Sequence, residues 1–153
     1  MDSRLKKCID EKKIVQIPLQ PDLVKKEMDA AIFDLKTAEE SFSEGNHKWA
    51  TVQAYYSMFH TAKALVLSRG YREKSHMCLS IALKSLLVDE NLLEQSHFEH
   101  FRDCMELRED ADYGSIYSEH SAETVIGWAN EFLEAAGRII QKLITSFPTS
   151  YQK

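Results

Sequence analysis

Three polar residues near position 110 have the types and the spacing of an anion site. Arg108 and Asp112 are four residues apart, and Tyr113 follows directly. The apolar residues before them repeat at three and four: Phe98, Phe101 and Met105. A helix that continues this stripe places Arg108 and Asp112 on one face. The guanidinium and the phenol could then bind a phosphate, or Asp112 could neutralise a buried Arg108 in a structural ion pair.

A second polar stripe lies on a segment that is apolar or small on almost every side. Its members are Gln53, Tyr56, His60 and Lys63, which follow each other at three, four and three. Such a stripe must face water, a partner or a ligand, because the rest of the helix is typical of the centre of a bundle. Two interpretations stand: the solvent edge of a helix, or the lining of the same cleft as Arg108.

Three Glu-x-x-His pairs suggest a di-metal bundle, because such pairs hold iron or manganese when they project inward from the middle of a helix. They are Glu44 with His47, Glu73 with His76, and Glu94 with His97. All three straddle predicted helix ends or loops. The sequence therefore predicts no metal site and no cofactor.

Composition favours an all-α protein. The 153 residues are 44% hydrophobic and include only five Gly and three Pro, too few for the turns of a β-sandwich. The net charge of −5 gives no large positive field for duplex DNA. A signal peptide and a run of 18 apolar residues are both missing from the sequence, so we expect a cytoplasmic protein without a membrane span.

Apolar periodicity predicts an up-and-down antiparallel bundle of about five helices. The predicted ranges are 22–44, 47–69, 75–88, 97–112 and 118–147. Residues 1–21 carry a net charge of about +2 and are expected to form a basic, flexible N-terminal segment. Residues 22–147 then form the bundle, and residues 148–153 form a C-terminal tail.

The cysteines indicate neither a disulfide framework nor a zinc ribbon. Cys8, Cys78 and Cys104 are odd in number and lack Cys-x-x-Cys spacing. Cys104 lies beside the apolar stripe of its helix and is interpreted as a small core residue rather than a nucleophile. A reducing compartment is the expected environment.

Three stretches together resemble the HEPN superfamily (higher eukaryotes and prokaryotes nucleotide-binding). They are residues 54–65 with the pattern Tyr-Tyr-x-x-Phe, Gly70 with residues 74–76, and residues 107–114 with the pattern Arg-x-x-Ala-Asp-Tyr. The resemblance covers about residues 22–145. It includes the long closing helix.

The resemblance implies a helical bundle, usually a homodimer, whose prokaryotic members often bind a minimal nucleotidyltransferase as a toxin and antitoxin pair. Some members are metal-independent ribonucleases with an Arg followed, after four to six residues, by a His. Arg108 matches that Arg, whereas the positions for the His hold Tyr113, Gly114 and Ser115. The motif histidine is missing from this sequence.

Three functions are consistent with these residues. The first is a nucleotide- or RNA-binding HEPN domain that acts with a nucleotidyltransferase partner; its expected ligand contacts are Arg108, Asp112, Tyr113, Tyr56, His60, Lys63 and His76. The second is a divergent metal-independent ribonuclease that uses Arg108, with His60 or His76 in place of the missing histidine. The third is a purely structural, dimerising bundle.

Overall fold

The protein is an all-α bundle, as the sequence predicts. The computed structural model describes residues 2–113 and 118–145, with the side chains of all of these except 108–113. The helices are α1 (Ser3–Asp10), α2 (Pro21–Ser43), α3 (His47–Ser68), α4 (His76–Leu83), α5 (Gln95–Tyr113) and α6 (Glu119–Thr145). A π-helical segment, Lys84–Val88, continues α4. Two short strands, β1 (Ile14–Gln16) and β2 (Tyr71–Glu73), complete the described part.

Helix α3 is the central helix, which confirms the interpretation of its apolar surroundings. Its small residues let α2 approach closely, since the Ser57 hydroxyl donates to the carbonyl of Ala31 at 2.8 Å. Thr61 is fully buried, and its hydroxyl is satisfied within α3 because it donates to the carbonyl of Ser57 one turn earlier, also at 2.8 Å. Tyr55 stacks on Phe101 of α5 with ring centroids 6.3 Å apart. These contacts fix α2 and α5 against α3.

The predicted apolar stripes of α2 and α6 face the core. Four α2 residues are buried at intervals of seven, four and three: Val24, Ala31, Leu35 and Ala38. On α6 the buried stripe includes Val125, Ala129, Phe132 and Ala136. The Phe132 ring meets Phe101 at 6.3 Å and thereby joins α6 to α5. The bundle core is therefore continuous from α2 through α3 to α6.

The N-terminal segment differs from the expected flexible basic tail. Asp2 caps α1 by accepting from the Arg4 backbone N–H at 2.7 Å, and α1 buries Leu5 and Cys8. Strand β1 then pairs antiparallel with β2, from Ile14 opposite Glu73 to Gln16 opposite Tyr71. The physical reason is amphipathicity: the charges of α1 face outward while its few apolar residues pack on the bundle. The net charge of residues 1–21 does not reveal this amphipathic pattern, because it takes no account of where the charges lie on the helix.

Cys8 and Cys78 form a disulfide, which corrects the expectation of unpaired cysteines. Their Cα atoms are 5.9 Å apart, so α1 is linked covalently to α4. The two residues are 70 positions apart, and only the docking of α1 brings them together. Cys104 is buried, and burial raises the pKa of its thiol to about 12, as fits a core residue rather than a nucleophile.

Helix ends agree with the predicted ones to within a few residues. Ser75 caps α4, since its hydroxyl accepts from the backbone N–H of Cys78 at 3.3 Å. Pro21 begins α2 and thereby places Asp22 in the first turn of the helix. Among residues 2–113 and 118–145, no helix combines the length and the apolar character needed to cross a bilayer.

Candidate functional site

The predicted phosphate site at the end of α5 lies largely outside the described residues. The backbone is helical through Tyr113, so Arg108 and Asp112 are one helical turn apart on α5. The side chains of Arg108, Asp112 and Tyr113 belong to the part that the structure does not describe, as do residues 114–117. The choice between a phosphate site and a structural ion pair therefore stays a prediction.

The structure brings the other four predicted ligand contacts together around the ring of Phe59. Measured from the centroid of that ring, the Tyr56 ring lies at 6.4 Å, the His60 ring at 5.7 Å and the His76 ring at 4.6 Å. The Nζ atom of Lys63 lies 5.4 Å from the same centroid, within the range of a cation–π contact. We call these five residues the α3 cluster. It joins the middle of α3 to the first residue of α4.

Three carboxylates from other elements meet the cations of the α3 cluster. Glu27 of α2 lies 2.6 Å from Nδ1 of His60 and 3.4 Å from Nζ of Lys63. Asp34 of α2 lies 3.6 Å from Nε2 of His60, and Glu73 of β2 lies 3.7 Å from Nζ of Lys63. The polar stripe of α3 therefore faces charged side chains of α2 and β2 rather than open solvent alone.

Burial and nearby positive charge shift the pKa values of these carboxylates in opposite directions. Burial would raise the pKa of Glu27, but the hydrogen bond from His60 and the charge of Lys63 hold it below its ordinary value. Burial dominates for Asp34 and Glu73 and raises both pKa values, although His60 and Lys63 partly oppose it. Glu27 is thus the carboxylate most firmly held in its charged form.

These partners reduce the positive charge that His60 and Lys63 can offer to a phosphate. Three carboxylates surround Lys63 and His60, and these five side chains are between 13% and 26% exposed. Gln53 also turns toward α2, because its amide lies 2.7 Å from the Ser41 hydroxyl. The aromatic side of the cluster is more accessible, since Tyr56 and Phe59 are half-buried and His76 is exposed.

Sequence reasoning missed the carboxylates and the central ring. Glu27 and Asp34 are seven residues apart on α2 and fall on one helix face, which is the signal that could have revealed them. Glu73 could not be found in this way because it depends on the unpredicted pairing of β1 with β2. Phe59 was visible only as part of the Tyr-Tyr-x-x-Phe pattern.

The three Glu-x-x-His pairs lie at element ends. Glu44 follows α2 and His47 begins α3, Glu73 ends β2 and His76 begins α4, and Glu94 precedes α5. His97 and His100 instead stack on α6, on Phe132 at 5.9 Å and on Trp128 at 4.4 Å. Within the described residues, no three His, Cys, Asp or Glu side chains are grouped so that they could hold a metal ion.

The helical bundle belongs to a known class of domain. The HEPN domain family matches this chain over residues 24–140, and the chain belongs to that family. The match runs from α2 into α6 and leaves out α1 and β1. The resemblance of the chain to the HEPN superfamily is thereby confirmed.

Similar proteins occur in two archaea. "Putative toxin MJ0605" of Methanocaldococcus jannaschii is 27% identical over 112 residues, which are 72% of this chain and 84% of that protein. "UPF0332 protein" of Archaeoglobus fulgidus is 32% identical over 108 residues, or 71% of this chain and 82% of its own. "Putative toxin MJ0142" of Methanocaldococcus jannaschii is 27% identical over 101 residues, with 66% and 68% covered.

Proposed function

We propose that this chain is a nucleotide- or RNA-binding HEPN protein and the toxin-like member of a pair with a minimal nucleotidyltransferase. Family membership over residues 24–140 is the observation that carries the proposal. The names of two relatives, which contain the word toxin, support the pairing. We place this activity in the cytoplasm.

In this proposal Arg108 makes the main phosphate contact. Its guanidinium offers paired donors to phosphate oxygens, with Asp112 as its neighbour on α5 and the Tyr113 hydroxyl as an additional donor. The α3 cluster supplies the stacking surface, because the half-buried rings of Tyr56 and Phe59 and the exposed His76 suit a nucleobase. His60 and Lys63 then support this surface through their carboxylate partners rather than by binding phosphate themselves.

Single-stranded RNA titration tests this assignment. Fluorescence anisotropy of a labelled RNA oligomer should show binding, and Arg108→Ala should weaken it by about 1.5–3 kcal/mol, as expected for losing a charge-assisted contact. The control is Lys36→Ala, which removes an exposed cation of α2 outside both sites. Equal affinities for all three proteins would show that Arg108 does not contact the RNA, and no binding by any of them would favour the purely structural dimerising bundle.

A ribonuclease activity is a second candidate function, and the pairing of His60 with Glu27 favours it. The 2.6 Å contact to Nδ1 fixes the ring, as an orienting carboxylate does for a general base. Nε2 would then take the proton from the ribose 2′-hydroxyl as this oxygen attacks the phosphorus, with Arg108 on the phosphate. The bond from phosphorus to the 5′-oxygen would break, water would protonate that departing oxygen, and a 2′,3′-cyclic phosphate would remain. RNA cleavage in a chelating buffer, lost in His60→Gln but retained in Lys36→Ala, is the expected result. An unchanged cleavage rate in His60→Gln would exclude this role.

We also propose a homodimer. In the single chain α3 is buried on almost every side, so the apolar surface left exposed lies elsewhere. On α2, Ile32 is 53% exposed and Phe33 is 65% exposed. Adjacent exposed apolar residues of this size are typical of interfaces. Sedimentation should give a dimer that Phe33→Glu dissociates, whereas a monomer at micromolar concentration would refute the proposal.

The partner is tested by co-purification. A minimal nucleotidyltransferase encoded next to this chain should elute with it in size-exclusion chromatography after co-expression. Separate elution of the two proteins would contradict the toxin and antitoxin pairing.

A further inference from the structure

A pocket of about 290 Å³ lies far from the predicted phosphate site. It is bounded by the segment before α5, the first turn of α5 and the C-terminal half of α6. Its polar lining consists of Glu94, His97, Arg138 and Lys142. We call it the α5–α6 pocket. Residues 97 and 108 are about 16 Å apart along α5, so this pocket and Arg108 are separate places on the molecule.

Within the described part of the chain, the two cations of the pocket have no carboxylate partner. Arg138 and Lys142 are one turn apart on α6 and exposed. Among the side chains that the structure describes, no carboxylate oxygen lies within 4.0 Å of either one. Glu94 contributes the single acidic side chain of the described lining. The lining itself therefore carries a net charge of about +1 in a chain whose total is −5, and Glu131 of α6 also acts on His97 from outside the lining.

His97 adds a fixed donor to these charges. Its ring stacks on Phe132 with an angle of 17° between the planes, which holds its orientation. Nδ1 is buried and has no hydrogen-bond partner in the described part of the chain. A neutral imidazole carries one proton, and a buried nitrogen without an acceptor is a poor place for it, so Nε2 is the donor. Burial lowers the pKa of His97, which favours this neutral form near pH 7.

The remaining wall of the pocket is apolar. It consists of Leu92, Leu93, Ala135 and Ile139. An inorganic anion would use the cations alone and leave this wall in contact with water. A ligand with an organic body beside its anionic group would cover both sides.

We propose that the α5–α6 pocket binds a small phosphate monoester. Arg138 and Lys142 contact the phosphate, His97 donates to one phosphate oxygen, and the organic group packs on the leucines. The site is independent of the proposed RNA contact at Arg108, because no residue is shared.

Phenyl phosphate is a suitable probe, since it joins a phosphate monoester to an apolar ring. Calorimetry should detect its binding to the full chain, with inorganic phosphate weaker and phenol not bound. In ¹⁵N-labelled protein the imidazole signals of His97 should shift on titration. Arg108→Ala should bind the probe as the native protein does, which separates this proposal from the proposed function.

Charge-changing variants locate the site. Arg138→Gln and Lys142→Gln should each raise the Kd for phenyl phosphate about tenfold, as expected for losing one charge-assisted contact. Lys36→Gln is the matched control and should change nothing. Glu94→Gln should lower the Kd several-fold, because it removes the carboxylate that opposes the phosphate. These residues are exposed, so the variants should fold normally.

Two results would overturn the proposal. One is an equal Kd for the native protein and the Arg138→Gln, Lys142→Gln double variant. The other is a His97 signal that responds to an RNA oligomer without terminal phosphates but not to phenyl phosphate, which would make the pocket part of an RNA surface.

Discussion

Two regions of this bundle place basic side chains close together, and their surroundings are opposite. In the α3 cluster, Lys63 lies within 4.0 Å of both Glu27 and Glu73. In the α5–α6 pocket, Arg138 and Lys142 have no such partner among the described side chains. The cations of the first region are half-buried, and those of the second are exposed.

Residue type alone therefore does not identify an anion site. A cation that neutralises buried carboxylates is needed for folding, because removing it leaves uncompensated charge in the interior. A cation without a partner contributes little to folding and keeps its charge for a ligand.

Lys63→Met should lower the free energy of unfolding by about 2 kcal/mol, because Glu27 and Glu73 lose the cation that compensates their burial. Arg138→Gln should change it by less than about 0.5 kcal/mol, as exposed substitutions usually do. Urea midpoints of the two variants give the comparison. Equal midpoints would remove the distinction between the regions.

The stability difference between native protein and Lys63→Met should narrow in acid, by about 1 kcal/mol between neutral pH and pH 4. Glu27 has a lowered folded pKa, so its contribution is present above the ordinary value of 4.5 and is lost as the pH falls through the folded value. In Lys63→Met the pKa values of the Glu27 and Glu73 carboxyls rise instead. The free-energy cost of burying their charge then disappears as they become protonated. Urea midpoints at pH 7 and pH 4 test this. A constant gap would show that Lys63 acts through packing.

Removing the carboxylates should convert the α3 cluster into an anion site. The Glu27→Gln, Glu73→Gln double variant leaves Lys63 without its acidic partners and His60 with Asp34 alone. Adding these two changes to the Arg138→Gln, Lys142→Gln protein gives a quadruple variant. We expect the quadruple variant to bind phenyl phosphate several-fold more tightly than the Arg138→Gln, Lys142→Gln protein, a gain of about 1 kcal/mol in binding free energy. Calorimetry of the quadruple variant measures this. No gain would mean that geometry, rather than charge, excludes phosphate there.

The smallest effect concerns His97. Its folded pKa is lowered by burial, so its contribution to stability is full above the ordinary value of 6.5 and is lost as the pH falls through that value toward the folded one. His97→Gln should therefore flatten the stability profile slightly between pH 7.5 and 5.5. Thermal unfolding at several pH values measures the slope. An unaltered slope would contradict the burial of the ring.

The long elements of the fold could be predicted because their signal is local. Apolar spacing marks α2, α3, α4 and α6 to within a few residues of their bounds. The N-terminal segment could not be predicted in this way, because α1 is two turns long and is fixed by contacts with distant residues. The Cys8–Cys78 disulfide and the pairing of β1 with β2 both span large sequence separations.

The α3 cluster shows the same limit for the site. His60 and Lys63 were recognisable as polar residues on a buried helix, and their common location with Tyr56 follows from helical spacing. Their charge state in the fold was not recognisable, since it depends on Glu27, Asp34 and Glu73 from two other elements. The polar stripe predicts where the α3 cluster lies, but the charged residues from other elements determine whether it can bind an anion.

A comparison of Lys63→Met with Arg108→Ala separates a cation needed for folding from a cation that binds RNA. Both variants are measured in two assays on the same samples. One assay is the urea midpoint, and the other is the affinity for labelled single-stranded RNA. We expect Lys63→Met to lose stability and keep its RNA affinity, and Arg108→Ala to keep most of its stability and lose about tenfold or more in affinity. The contradicting result is an Arg108→Ala protein that is strongly destabilised yet binds RNA normally, while Lys63→Met binds RNA poorly.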